Sequence, residues 1–139
     1  MLNDSVQAAL DEISVLYPNT PLHVEEDGQG GAFAVLSAIR LGPQYEQEAT
    51  WIGFHVTHMC PFADTYPHLV RPDLSRKDGA ALGEGFGIVE WPPLQGRLGE
   101  VTGTTKAVQL SRRANRRDSD GIETPLVKLL KVLRWLNSR

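Results

Sequence analysis

The spacing of apolar residues predicts a helix near the start of the chain. From residue 5 to residue 16, apolar side chains return every three or four positions, as on one face of an amphipathic helix. Those positions are Val6, Ala9, Leu10, Ile13 and Leu16. Asn3 or Asp4 is suited to cap the first turn. The segment 17–21 (Tyr-Pro-Asn-Thr-Pro) ends the helix, because proline cannot continue it.

A second helix is predicted at the end of the chain. Thr124 is a suitable N-cap, and Pro125 stands at the first helical position, where its missing N–H costs nothing. The predicted apolar face consists of Leu126, Leu129, Leu130, Leu133 and Leu136, widened by Val127 and Trp135. Lys128, Lys131 and Arg134 are predicted to lie elsewhere on this helix.

Three strands are predicted between the helices, at 22–26, 33–41 and 50–57, each rich in apolar residues. The first two are joined by 27–31 (Asp-Gly-Gln-Gly-Gly), a strong turn signal because glycine adopts positive φ without strain. Short links between successive strands favour an antiparallel meander. Together with the two helices, the pattern predicts an α+β domain.

The segment from Pro61 to Pro93 is predicted to be mostly irregular, because prolines and glycines recur throughout it. Short strands are predicted at 87–91 and 107–111. The glycine run from 79 to 87 lacks the strand–helix context and the Lys-Ser/Thr pair of a phosphate loop, so it is interpreted as a surface loop.

Composition narrows the possible functions. The 139 residues correspond in length to one domain, 1–139, with an ordinary hydrophobic fraction of 41%. The net charge of -3 argues weakly against nucleic-acid binding, and no apolar run is long enough to span a membrane. No secretory signal is visible at the N-terminus. A single cysteine cannot form an internal disulfide, which favours a cytoplasmic location, and no cofactor or metal is predicted.

The middle of the chain carries a family resemblance. The run 51–57 (Trp-Ile-Gly-Phe-His-Val-Thr) is followed by Tyr66-Pro67 and then by Arg71-Pro72-Asp73. This resembles the central strand, Tyr-Pro turn and outgoing proline of the ubiquitin-conjugating-enzyme fold and of its RWD and UEV relatives. Within that group the chain is most similar to bacterial proteins encoded beside ubiquitin-like proteins and activating enzymes. The resemblance implies that this chain has the ubiquitin-conjugating fold. It also implies that the chain acts in an antiviral conjugation system.

The chain departs from active members of this family at the nucleophile. In active members the nucleophilic cysteine follows the Tyr-Pro motif, and a His-Pro-Asn triplet precedes that cysteine. Here the only cysteine, Cys60, comes before the motif, and there is no His-Pro-Asn. The family position falls near 109–111, so Ser111 is the one hydroxyl that could replace the thiol. A serine needs an adjacent base for that role, and the alternative is a strand-end serine with a local hydrogen bond.

Three other groups of residues are candidates for chemistry. Cys60 could join His55 and His58 as a metal ligand, but strand geometry separates the histidines, and burial as a small apolar residue is favoured. Asp64, His68 and Asp73 could form an acid/base group, although structural roles near a proline turn are favoured. An arginine cluster is interpreted either as a docking surface for an acidic partner or as a solvated loop; its members are Arg112, Arg113, Arg116 and Arg117.

These observations lead to three functional hypotheses. The first is a non-catalytic conjugating-like protein that binds a ubiquitin-like protein, an activating enzyme or a second conjugating subunit. Its predicted binding surfaces are Tyr66-Pro67, the glycine loop and the arginine cluster, and a homo- or hetero-dimer is possible. The second is an active conjugating enzyme that forms an oxyester on Ser111. The third is an unrelated small globular binding domain.

Overall fold

The computed structural model describes residues 1–112 and 123–139. Helices and strands alternate with short loops along these residues. The elements in chain order are α1 Asp4–Leu16, β1 Leu22–Glu26, β2 Ala32–Arg40, β3 Ala49–Val56, β4 His68–Val70, β5 Phe86–Glu90, a 3-10 helix Pro92–Gln95, α2 Arg97–Thr102, β6 Lys106–Leu110 and α3 Pro125–Asn137.

The predicted N-terminal helix and first hairpin are confirmed. The Val6 N–H donates to Asn3 Oδ1 (2.9 Å), so Asn3 is the cap of α1. The turn between β1 and β2 is held by Asp27, whose Oδ1 accepts from the N–H groups of Gln29 (2.7 Å) and Gly31 (3.0 Å). This Asx turn explains why a short polar segment is enough to reverse the chain.

The strands form one antiparallel sheet in the order β1-β2-β3-β4-β6-β5. The predicted meander is confirmed over β1, β2 and β3, and β4 continues it. The last two strands exchange places, because β6 lies between β4 and β5. The α+β class is therefore confirmed. Strand β5 confirms the short strand predicted at 87–91, whereas β4 and the start of the 3-10 helix make the segment Pro61–Pro93 more regular than predicted.

Helices cover both faces of the sheet. Helices α1 and α3 pack on one face over the larger apolar core, whose sheet residues include Ile52, Phe54, Val70 and Leu110. On the other face, Leu94 of the 3-10 helix and Leu98 of α2 pack on a smaller cluster around Trp51 and Leu69. Successive strand residues point to opposite faces, so strands β2 to β6 supply both clusters, whereas β1 supplies only the larger one.

The buried stripe of α3 is rotated relative to the predicted face. Its buried residues are Pro125, Lys128, Leu129, Val132, Leu133 and Leu136. Val127 and Leu130 are exposed at 42% and 41%. The prediction that Lys128 lies away from the core is wrong: its side chain is only 4% exposed, because it forms an ion pair beneath the helix.

Candidate functional site

The structure brings four of the predicted site residues to one end of the sheet. Strand β4 begins at His68, which pairs with Leu110, the last residue of β6. Pro67 and Ser111 directly adjoin this pair, and Tyr66 and Arg112 follow on either side. Tyr66 and Pro67 are half-buried, whereas Ser111 and Arg112 are exposed. The predicted Tyr-Pro motif and the predicted nucleophile position are thus neighbours.

Ser111 directly follows the last residue of β6. Among the described residues, no side chain that could act as a base lies beside it. Its N–H donates to the Gly85 carbonyl (2.8 Å), and its Oγ accepts from Gln109 Nε2 (3.2 Å). The histidine nearest along the sheet, His68, lies opposite Leu110, and paired residues point to the same face. Since Ser111 follows Leu110 in an extended backbone, its side chain points to the other face. Among the described residues, Ser111 therefore makes the local contacts of a strand end.

Arg112 lies on an aromatic surface. Its guanidinium is 5.0 Å from the ring centre of Trp135, and that of Arg139 is 5.2 Å from the same ring. Phe86 stacks on Trp135 with ring centres 4.9 Å apart. We call Phe86, Arg112, Trp135 and Arg139 the Trp135 patch. Neither arginine forms an ion pair with a carboxylate of the described residues, so both forks are available to an anion.

The other members of the predicted arginine cluster, Arg113, Arg116 and Arg117, lie outside the described residues. The glycine run before β5 contributes to the Trp135 patch through Gly85. A Cβ at Gly85 would come within 3.0 Å of the Trp135 ring, and its φ is +87°. Glycine is therefore needed where this loop passes Trp135.

Cys60 is buried, as predicted. It is 8% exposed, and its Sγ lies 3.9 Å from the Ser5 carbonyl at the start of α1. Burial raises the pKa of the Cys60 thiol, and the charge of Glu12 adds to this. Because the thiolate is the reactive form, this cysteine is less reactive than an exposed thiol.

The histidines near Cys60 have separate surroundings. His55 Nε2 lies 2.7 Å from Asp27 Oδ2, and its ring stacks on Phe33 with centres 4.2 Å apart. His58 is exposed, and its carbonyl accepts from Asn3 Nδ2 (2.9 Å). Within residues 1–112 and 123–139, no group of three or more His, Cys, Asp or Glu side chains is arranged to hold a metal ion.

A buried polar cluster lies under α3. Lys128 Nζ donates to Asp64 Oδ1 (2.6 Å), and Asp64 is 26% exposed at its side chain. Next to this pair is His68, 1% exposed, whose two ring nitrogens have no hydrogen-bond partner among the described residues. Burial, and secondarily the charge of Lys128, lowers the pKa of His68 to about 3. His68 is therefore neutral at physiological pH.

The predicted acid/base group of Asp64, His68 and Asp73 is divided between two environments. Asp64 and His68 belong to the cluster with Lys128. Asp73 receives a bidentate pair from Arg71 Nε (2.6 Å) and Nη2 (2.9 Å), beside a cleft of about 520 Å³ next to the C-terminal end of α2. The third donor of Arg71, Nη1, is used by the Ala49 carbonyl (3.0 Å). Three of the five N–H groups of Arg71 are therefore used within the protein, where they hold Asp73 and strand β3 at the edge of this cleft.

An apolar groove runs between α1 and α3. It has a volume of about 530 Å³, and we call it the α1–α3 groove; it is lined by Ala8, Asp11, Glu12, Val15, Leu16 and Leu126. Val15 is 79% exposed and Leu16 49% exposed. The exposed Val127 and Leu130 continue the apolar surface along α3. The periodicity of α1 could have indicated this groove, since Val15 and Leu16 extend its apolar positions beyond the core stripe.

Sequence and structure comparisons identify no relative. No protein-family model matches the chain, and no curated protein and no solved structure is significantly similar to it. No described helix is long and apolar enough to cross a membrane.

Proposed function

We propose that this chain is a non-catalytic protein-binding domain related to the ubiquitin-conjugating enzymes. It acts in the cytoplasm, in a bacterial ubiquitin-like conjugation system with an antiviral role. Support comes from the order of N-terminal helix, antiparallel meander, Tyr66-Pro67 and C-terminal helix. Strands β5 and β6 extend the sheet beyond that meander, so the proposed relationship depends on the order of elements and on the motif.

The proposal of a non-catalytic role is supported by the state of the two possible nucleophiles. Cys60 is buried against Ser5 with a raised thiol pKa. Ser111 has no base among the described residues, and an unactivated hydroxyl is a poor nucleophile at neutral pH. A partner protein would then supply the thiol for any transfer reaction.

The observation that carries the proposed binding function is the α1–α3 groove. Exposed apolar side chains from two helices meet there, and large apolar patches on soluble domains often mark protein contacts. Asp11 and Glu12 border the groove, whereas Lys131 on α3 is already paired with Glu123. The groove therefore suits a partner patch that is apolar at its centre and basic at its rim.

We assign this groove to the ubiquitin-like protein of the system. The activating enzyme and a second conjugating subunit are alternative occupants that the same experiment distinguishes. The test is calorimetric titration of the purified protein with each of the three components. Binding of the ubiquitin-like protein is expected to weaken at least about tenfold in Val15→Glu and in Leu130→Glu, because each places a charge in an apolar contact.

Val101→Glu is the matched control. Val101 is 38% exposed on α2, which packs on the other face of the sheet, so this variant should bind normally. If the activating enzyme or the conjugating subunit binds instead, the assigned occupant is wrong. If none of the three binds, the chain is an unrelated binding domain and the proposal is overturned.

A reaction with activating enzyme and ATP tests the catalytic alternative. We expect no covalent adduct on this chain by intact mass. A hydroxide-labile adduct that resists reducing agent and disappears in Ser111→Ala would identify an oxyester. That result would replace the non-catalytic proposal with an active conjugating enzyme.

A further inference from the structure

The backbone of β5 has three residues whose hydrogen-bonding groups point away from the sheet. The Ser111 N–H donates to the Gly85 carbonyl, and the Trp91 N–H donates to the Thr105 carbonyl. In an antiparallel ladder, hydrogen-bonded residues alternate with residues whose N–H and C=O point the other way. Gly87 and Val89 therefore face β6, whereas Phe86, Ile88 and Glu90 direct their backbone groups outward.

This outer edge is open in the described part of the chain. Strand β5 is the last in the sheet order, and within residues 1–112 and 123–139 no strand pairs with its outer side. The Ile88 side chain is 62% exposed. An unpaired edge with an exposed apolar residue is a template for another strand.

The opposite edge of the sheet is protected. In β1 the same alternation, fixed by the Ser37 N–H bond to the Pro21 carbonyl, points the backbone of Val24 outward. Arg97 Nη2 donates to that outward Val24 carbonyl (3.0 Å). Glu26, the next outward residue, forms an ion pair with the N-terminal ammonium. Such charged caps are a common defence of edge strands. On β5 the one outward charge, Glu90, has no ion-pair partner among the described residues.

We propose that a second copy of this chain pairs with β5 edge to edge, in an antiparallel arrangement with its two-fold axis at Ile88. The outward residues lie symmetrically about Ile88, so the axis pairs each Ile88 with its copy and each Phe86 with Glu90 of the other copy. Every outward N–H and C=O group of the three residues then forms a hydrogen bond with the second copy. The two sheets become one continuous sheet through a closed, isologous interface.

The charges of the proposed interface are complementary. Phe86, Ile88 and Glu90 share one face of the sheet, the face on which Phe86 stacks on Trp135. Glu90 of the second copy therefore lies beside Phe86 and within reach of the Trp135 patch. There it meets the guanidinium groups of Arg112 and Arg139, which pair with no carboxylate of the described residues. The two-fold axis makes this contact twice, and no like charges are placed opposite each other.

The side chains of β5 favour a second copy over an unrelated extended segment. Any extended segment could pair with the backbone groups of this edge. A second copy also places Ile88 against Ile88 and Glu90 beside the two arginines. The inference is independent of the proposed function, because the α1–α3 groove is not part of this edge.

Sedimentation equilibrium of the full chain from about 10 µM to about 1 mM tests the proposal, since a short interface is expected to be weak. The average mass should rise from 15.3 kDa toward twice that value. Ile88→Pro should weaken association at least about tenfold, because it removes an outward N–H without losing a bond to β6. Ile88→Lys should also weaken association, because it places a charge on the edge strand. Val101→Lys is the matched control.

Two further measurements locate the contact. Glu90→Lys and Arg112→Glu should each weaken the dimer, and the double variant should recover much of the loss. Backbone amide exchange should slow with concentration at Phe86, Ile88 and Glu90, but not at Gly87 and Val89, which are already bonded. A constant mass of 15.3 kDa up to about 1 mM, or a dimer unaffected by both Ile88 variants, would overturn the proposal. Circular dichroism and thermal unfolding confirm that each variant is folded.

Discussion

At the scale of single residues, the least expected feature is the polar cluster beneath α3. Lys128 belongs to the observed buried stripe of α3, although a lysine suggests a surface residue from sequence alone. Only the structure shows that Asp64, distant in sequence, reaches it. His68 shares this environment, because β4 places it on the α3 face of the sheet. Neither contact could be predicted, since both depend on long-range packing.

His68 gives a prediction for the pH dependence of stability. Its pKa is about 3 in the folded protein and 6.5 in an unfolded chain. The unfolded state therefore binds a proton below pH 6.5 that the folded state does not bind until about pH 3. Stability falls as the pH is lowered through this window, by up to about 1.4 kcal/mol per pH unit from this residue.

Replacing His68 by Leu should remove that contribution. Urea unfolding of His68→Leu and of the parent at several pH values between 7 and 4 measures the difference in slope. Near neutral pH the variant should be at least as stable, because two unpaired ring nitrogens are replaced by apolar groups. His58→Leu, at an exposed position, serves as the control for the loss of a histidine. Equal slopes for His68→Leu and the parent would contradict the assigned environment.

The ion pair makes a separate prediction. Asp64→Asn should destabilise the protein by roughly 2 to 4 kcal/mol, because the Lys128 ammonium stays buried without its carboxylate. Lys128→Met should cost less, since an apolar side chain replaces the buried charge and Asp64 reaches solvent. Chemical denaturation at neutral pH gives the free energies of unfolding of the two variants and therefore their order of stability. If the methionine variant is the less stable of the two, the ammonium is not the costly member of the pair.

At the scale of elements, local patterns were sufficient where the structure is local. The spacing in α1, the Thr124-Pro125 start of α3 and the Asp27–Gly31 turn all carry their own signals, and all three were predicted. Strand β4 is only three residues long and α2 only six, so neither has a recognisable period. The position of β6 between β4 and β5 depends on long-range pairing, which periodicity does not contain.

The candidate site shows the same limit. The Tyr66-Pro67 motif and Ser111 were selected from a family resemblance, and their proximity follows from the pairing of β4 with β6. The Trp135 patch was missed, because its members come from three elements distant in sequence. Trp135 was predicted only to widen an apolar helix face, although its ring also supports two arginines.

Asn3, the cap residue of α1, makes two side-chain hydrogen bonds, and one substitution can separate their contributions to stability. Asn3 Oδ1 accepts from the Val6 N–H, and its Nδ2 donates to the His58 carbonyl. Asn3→Ala should lose both contacts and cost about 1 to 2 kcal/mol. Asn3→Asp keeps the cap and loses only the donor, so it should cost less. Thermal unfolding compares them, and equal losses would mean that the bond to His58 is the contact that matters.

At the scale of the whole molecule, the C-terminal end of α3 is anchored to the rest of the fold by hydrogen bonds from distant loops. The Tyr45 hydroxyl donates to the Leu136 carbonyl (2.6 Å) in a buried position. Asn137 Oδ1 accepts from the Gly42 N–H (2.8 Å), and Arg76 Nη1 donates to the Arg139 carbonyl (2.6 Å). This end of α3 also carries Trp135, so the anchoring holds the Trp135 patch in place.

Tyr45→Phe tests whether this anchoring belongs to the global fold. The variant removes the Tyr45 hydroxyl from the buried Leu136 carbonyl, which still accepts from the Arg139 N–H (3.5 Å), so the free energy of unfolding should fall by about 1 kcal/mol. If α3 and the sheet unfold as one unit, amides of α3 and of β3 should lose exchange protection by the same amount. The urea m-value should then stay constant. Loss confined to α3 would mean that this helix opens on its own, and both the α1–α3 groove and the Trp135 patch would open with it.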